Sequence, residues 1–236
     1  MQDGFKPIRN LKIYRQVIEQ IKEMIYRGQL KKGDRLPSER DLREQLDVSR
    51  ASIREAFSVL EILGLIESRP GEGTFITSGG KKNIFEPLSM VLMLEDNIAE
   101  ELVEFRRVLE IDSARLAAER ATETELEEIK KYNDILAASA GHEEKSVEAD
   151  RMFHFTVAKS SKNKVLYDVM AAISDAMDYH IKYTRTKLVS ESATMASFVR
   201  QHWEIYQAVK DGDSQRAMEE MKNHLDYVEK LMKPRK

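Results

Sequence analysis

Backbone breakers are spread so unevenly along this chain that they divide it before any motif is read. Eight of the 10 glycines fall within residues 1–80, at positions 4, 28, 33, 64, 71, 73, 79 and 80, and the remaining 156 residues hold only Gly141 and Gly212. Of the 5 prolines, only Pro87 and Pro234 lie beyond residue 80. So long a stretch without breakers predicts helix after helix joined by short turns. The spacing puts these helices at roughly 84–94, 97–119, 123–138, 143–160, 163–187, 193–211 and 214–231. Thr122-Glu123-Thr124-Glu125 has the form of a capping box, and Ser160 to Asn163 and Asp211-Gly212-Asp213 read as turns. No strand-like alternation appears. An all-α antiparallel helix bundle is the expected C-terminal architecture.

Charge divides at the same place. Residues 1–78 carry 14 Lys and Arg against 12 Asp and Glu, whereas residues 79–236 carry 24 against 29. Ser78-Gly79-Gly80-Lys81-Lys82-Asn83 has linker composition. The expected organisation is therefore a domain at 1–78, a linker at 79–83 and a second domain at 84–236. The absence of cysteine excludes a disulfide framework, a thiolate metal site and a thiol nucleophile. The longest apolar run, Leu88 to Leu94, is far short of the roughly 18 residues that a membrane span needs. No secretory signal is visible near the start, so a cytoplasmic protein with no membrane partner is expected.

The N-terminal part has a different texture. Ile13, Val17, Ile18, Ile21, Met24 and Ile25 have the spacing of an amphipathic helix that stops near Gly28. Leu30 to Leu36 reads as an extended connector. Ser38-Glu39-Arg40-Asp41 has the form of a capping box, opening a short helix to about Leu46. Asp47-Val48 makes a turn, and Ser49 caps a second helix reaching Leu63, with Gly64 just past its end. Two short helices joined so tightly predict a helix-turn-helix. Leu65 to Ser68 and Thr74 to Thr77 flank Arg69-Pro70-Gly71-Glu72-Gly73, which predicts a β-hairpin with a glycine-rich tip, a wing.

Ser49, Arg50, Ser52 and Arg54 put hydroxyl and guanidinium donors on the first turns of the second helix, while Ile53, Ala56, Phe57 and Leu60 face inward. The start of such a helix enters the DNA major groove, where arginine reads guanine O6 and N7 and hydroxyls hold phosphates. The alternative is a solvated face with ordinary charges. Asp34 to Leu42, Val48 to Ala56, Leu60 with Gly64-Leu65-Ile66, and Gly71 to Phe75 together resemble the GntR-family winged helix over about residues 10–77. That resemblance implies that Arg40, Arg50 and Arg54 are the main DNA contacts, with Ser49 and Ser52 beside them. It further implies that Gly71 approaches the minor groove and that Arg35 and Ser38 touch phosphates.

In the C-terminal part, Asp150 and His154 are four apart and share a helix face. His202 lies about 10 residues before Gly212 and His224 about 12 after it. In an antiparallel hairpin both histidines would stand at nearly equal heights above the turn. One carboxylate and three imidazoles suit a divalent ion such as Zn²⁺, Ni²⁺ or Mn²⁺. Spacing alone equally allows each histidine to be an ordinary buried, hydrogen-bonded side chain.

Glu104 to Glu110, Ala117 to Thr122, Asp150 to His154 and His202 to Ile205 are similar to the FCD effector domain of the FadR subfamily. The resemblance implies that Asp150, His154, His202 and His224 are metal ligands and that a small carboxylate effector binds beside the metal. Arg106 matches the position that would pair with this carboxylate, although an ordinary ion pair with Glu110 is its other reading. His180 matches no ligand position, and His142 is expected in a solvated loop. The implied function is a ligand-responsive transcription regulator, a homodimeric repressor on a pseudo-palindromic double-stranded operator. The alternatives are a metal-dependent hydrolase and an architectural DNA-binding protein with a structural metal. No HExxH or similar motif supplies the general base that the hydrolase would need.

Overall fold

In the computed structural model, the described residues are 12–77, 86–95, 98–139, 142–189 and 192–232. The chain divides into two compact units, Met1–Ile84 and Phe85–Lys236. The expected linker at 79–83 lies outside the described residues.

The first unit opens with α1 (Ile13–Tyr26), which buries Val17, Ile18 and Ile21. Ile13 and Met24, expected on the same face, are exposed. Ser38 begins α2 (Glu39–Leu46) with a complete capping box, its hydroxyl accepting from the Asp41 amide while the Asp41 carboxylate accepts from the Ser38 amide. Asp47 ends that helix in the left-handed region at φ 49°, a conformation that aspartate tolerates. Ser49 then caps α3 (Arg50–Ile62) by accepting from the Ser52 amide. Ile53, Ala56, Phe57 and Leu60 of α3 close one core with Val17, Ile18, Ile21 and Leu42. That core sets α3 in place and leaves its opposite face to solvent.

Strands β1 (Ile66–Arg69) and β2 (Gly73–Ile76) form the predicted antiparallel hairpin, with Ile66 opposite Ile76 and Arg69 opposite Gly73. The connector before α2 does more than connect. The Leu36 amide donates to the Thr74 carbonyl at 2.8 Å, and the Ile76 amide donates to Asp34 at 2.8 Å. The free edge of β2 is thereby covered, which a bare hairpin would leave open.

The second unit is all-helical among its described residues: α4 (Glu86–Met93), α5 (Ala99–Arg120), α6 (Glu123–Ala138), α7 (Glu143–Ser160), α8 (Lys164–Val189), α9 (Ser192–Lys210) and α10 (Ser214–Met232). Thr122 and Glu125 make the predicted capping box at the start of α6. Gly212 turns α9 back into α10 at φ +73°. Helix α10 lies along both α5 and α9, α6 packs on α7 and α9, and α7 packs on α5 and α8. Phe153, Ile205, Met221 and Leu225 fill the centre, with Ala114, Ala117, Ala208 and Ala217 where helices come close.

Candidate metal centre and nucleic-acid interface

Helix α7 presents Asp150 and His154 on one face, and the hairpin of α9 and α10 brings His202 and His224 to the same depth. One donor atom from each of the four lies within 4.8 Å of every other, and all four side chains are buried. The ring centroids of His202 and His224 are 4.7 Å apart, and each stands 5.1 Å from that of His154. Phe153 stacks on His202 at 4.1 Å, and Phe198 meets His224 edge-on, so apolar rings hold two of the imidazoles.

Asp150 Oδ1 is 3.5 Å from His202 Nε2 and 4.0 Å from His154 Nε2. Both separations are too long for a good hydrogen bond. They match co-ligands of one ion at about 2.0–2.2 Å, which stand no more than about 4.4 Å apart. The widest pair would close by a few tenths of an ångström. Both ring nitrogens of His154 are buried without an aligned hydrogen bond, although Nδ1 stands 2.6 Å from Glu110 Oε2, and Nε2 faces the other donors with a lone pair to offer an ion. The donor set fits a divalent cation.

The electrostatics agree with that fit. Burial pushes the His154 pKa below the ordinary histidine value, with Arg106 adding to the effect and Glu110 opposing it. His224 is pushed further down by burial and by the other two imidazoles. Neutral imidazole is the ligating form. Glu110 lies behind His154, with Oε2 2.6 Å from His154 Nδ1. Burial alone would raise its pKa, but Arg106 and then His154 hold it well below the usual carboxylate range. Gln201 Oε1 lies 2.9 Å from His224 Nδ1.

Arg106 is buried and donates to Glu110 from Nε at 2.5 Å and from Nη2 at 3.3 Å. It also lines a cavity of about 20 Å³ together with His154, Arg151, Phe155, Met170, Ser174, Met177 and Asp178. Arg106 thus makes the ion pair with Glu110 that one sequence reading gave it, and it also faces a cavity beside His154. Sequence reasoning passed over Glu110 as a functional group, as well as Gln201, Arg151, Ser174 and Asp178. The four-residue spacing to Arg106 was a signal for Glu110. Gln201 meets His224 across a helix pair and carried no local signal. His142 is exposed, and the side chain of His180 lies outside the described residues.

In the first unit the candidate DNA-contacting residues are exposed, except Ser52, which is half-buried. Arg50 lies on the first turn of α3, with Nε 3.2 Å from Glu39 Oε2, and Arg54 Nε is 4.0 Å from Glu39 Oε1. Arg40 reaches Glu44 at 3.3 Å. Ser49 and Ser52 hydroxyls lie 2.9 Å apart and share the cap. Ser38 donates its hydroxyl to Asp41 at 2.7 Å, so a phosphate would have to displace that bond. Gly71 sits at the wing tip at φ +78° with open space around it, so the backbone conformation rather than crowding calls for glycine there. Arg35 lies over Gly73, where an added Cβ would come within 2.8 Å of its Nε. Arg69, missed in the sequence reading, is an exposed wing cation 4.5 Å over the Phe75 ring.

Comparison with known proteins agrees with both units. The model of bacterial regulatory proteins of the gntR family matches residues 13–76, and that of the FCD domain matches residues 101–227. The HTH-type transcriptional regulator LutR of Bacillus subtilis is 35% identical over 210 residues, covering 89% of this chain and 96% of that protein. The Glc operon transcriptional activator of Escherichia coli is 31% identical over 235 residues, covering 98% and 91% respectively. A solved Streptococcus agalactiae GntR structure superposes with a TM-score of 0.66 at 26% identity, covering 92% of this chain and 99% of that one.

Proposed function

Since the chain belongs to the GntR family of bacterial transcription regulators and carries an FCD domain, we propose that it is a metal-dependent sensor of a small carboxylate that controls operator binding. It is a DNA-binding regulator and not an enzyme. Asp150, His154, His202 and His224 would hold a divalent ion, Zn²⁺ by preference and Ni²⁺ or Mn²⁺ by the same donor chemistry. Such an ion supplies a Lewis-acid anchor for a carboxylate oxygen. Arg106 orients the ligand by offering it a planar fork. The small cavity between Arg106 and His154 favours a ligand of few heavy atoms. The observation that carries this reading is the buried cluster of one carboxylate and three imidazoles, one of which, His154, lines a small cavity with the buried Arg106.

The proposed operator complex is a homodimer on a pseudo-palindromic double-stranded site in the cytoplasm. Arg50 and Arg54 read bases, while Arg40, Arg35, Ser38, Ser49 and Ser52 contact the backbone and Gly71 brings the wing to the minor groove. The proposed sign is repression with release on ligand binding, as the family resemblance implies. By its name the Glc operon relative is an activator, so operator binding with and without ligand decides the sign. The effector must then prefer one arrangement of the DNA-binding units, because a ligand shifts an equilibrium only through differential affinity.

Calorimetric titration of small hydroxy acids and dicarboxylates into three forms tests the reading: metal-loaded, chelator-stripped and Arg106→Lys. Lysine keeps the positive charge beside buried Glu110 and loses the fork. Weaker binding to both altered forms is expected. Equal binding to all three would make the metal structural and move the ligand elsewhere.

A further inference from the structure

One carboxylate stands between the candidate metal ligands and the candidate ligand-binding arginine and is itself neither. Glu110 is 1% exposed. It accepts from Arg106 Nε at 2.5 Å and Nη2 at 3.3 Å, and its Oε2 lies 2.6 Å from His154 Nδ1. From these contacts we propose that Glu110 is a positioning residue that holds His154 in the Nδ1–H tautomer, aims Nε2 at the Asp150 and His202 donors, and ties metal affinity to Arg106. The inference rests on the metal reading above for its ligand and on the Glu110 contacts for its geometry.

A neutral imidazole carries one N–H, and the nitrogen that carries it cannot ligate. Nδ1 and Nε2 of His154 are therefore competing places for one proton. An ionised carboxylate attracts a proton and has none to give, so Glu110, 2.6 Å from Nδ1 though not aligned with it as a hydrogen bond, favours the proton there and leaves the Nε2 lone pair facing Asp150 Oδ1 at 4.0 Å. An imidazole that donates to a carboxylate is also a more basic ligand. His224 has the weaker version of this device, with the neutral Gln201 oxygen at 2.9 Å.

The Arg106 side of the contact adds the coupling. Glu110 Oε2 is shared by Arg106 Nη2 and His154 Nδ1. A carboxylate ligand that draws Arg106 toward itself leaves more of the Glu110 charge to His154 and strengthens that ligand. By linkage, a bound metal must favour the carboxylate by the same factor.

The test uses the full chain, stripped of metal and titrated with Zn²⁺ against a competing chelator. Wild type is compared with Glu110→Gln, with Arg106→Lys, and with the double variants Glu110→Gln/Arg106→Lys and Glu110→Gln/Arg106→Met. The last removes both charges, so that no buried charge is left alone if Glu110→Gln by itself fails to fold. In parallel, ¹⁵N spectra of labelled histidine in metal-free protein at pH 8 report the tautomer of each ring.

The expected result is an Nδ1–H His154 in wild type and a 10- to 100-fold loss of Zn²⁺ affinity in every variant lacking Glu110. Arg106→Lys should change Zn²⁺ affinity when Glu110 is present and leave it unchanged in the Glu110→Gln background, the mark of a shared contact. Undiminished Zn²⁺ affinity without Glu110, or an Nε2–H tautomer in wild type, overturns the inference and leaves the metal reading standing. A wild-type chain that takes up no Zn²⁺, Ni²⁺ or Mn²⁺ overturns the metal reading and this inference with it.

Discussion

The two units carry their candidate functional side chains in opposite ways. On the winged helix the arginines are out in solvent: the side chains of Arg40, Arg50 and Arg54 are 82%, 72% and 69% exposed. Their partners Glu39 and Glu44 hold them by surface ion pairs, worth little each and easily exchanged for phosphate or guanine. In the helical bundle every candidate ligand is buried, and each of His154 and His224 is backed by a named acceptor. A site that must meet a large polyanion is built from groups that can let go of their partners. On the proposed reading, a site that would discriminate a small ion and a small acid is held before either arrives.

The sharpest way to break this comparison is His202→Ala. A ligand that binds only the native state stabilises it by about 4 kcal/mol at a thousand times its Kd. The variant should lose metal and that stabilisation together, and metal analysis with thermal melts in the presence and absence of Zn²⁺ checks both. Full metal content in the variant would take His202 out of the site.

Arg50→Ala should do the reverse, leaving the melting temperature essentially unchanged while costing about 1–3 kcal/mol of specific binding per half-site. Competition between operator and random DNA measures it. Unchanged discrimination would show that Arg50 reads no base.

A pH scan of metal-free protein sharpens the contrast further. His154 and His224 have pKa values lowered in the folded state, so below about 6.5 the unfolded chain binds protons that the folded chain does not. Stability should fall as pH drops from about 7 toward 5 and be flat above about 7. Melts of the isolated winged-helix unit, which has no histidine in residues 1–78, should lack this slope if that unit folds alone.

The smallest expected effect is Glu39→Gln, which frees Arg50 and Arg54 from their shared partner. Stability should change by less than about 1 kcal/mol, and DNA affinity should rise slightly at low salt. A large loss of stability would mean that this surface pair is structural after all.

Much of the fold was legible because it is encoded locally. The capping boxes at Ser38 and Thr122, the Ser49 cap and the antiparallel hairpin are all decided by residues within a few positions of one another, and the structure has each of them. The same locality explains the limits of α1. Periodicity grouped Ile13 and Met24 with the buried face, but which edge of that face is covered depends on where α3 packs, and both side chains are left in solvent. Likewise, residues 33–36 read as a connector because nothing in their own sequence says that β2 will offer them a partner.

The candidate site divides along the same line. The sequence by itself determined that Asp150 and His154 share a helix face and that His202 and His224 flank one turn at similar distances, because helical rise and period are properties of the backbone. Only the tertiary structure decided that the two sets meet within 4.8 Å, that Arg106 is shared between Glu110 and the cavity, and that Gln201 stands behind His224. Apart from the Arg106–Glu110 pair within α5, those relations join residues 23 to 74 positions apart on different helices, and the rotation of each helix about its axis is set by packing at the common core. Side-chain chemistry is written locally. Which side chain faces which is settled by burying Phe153, Ile205 and Leu225 together.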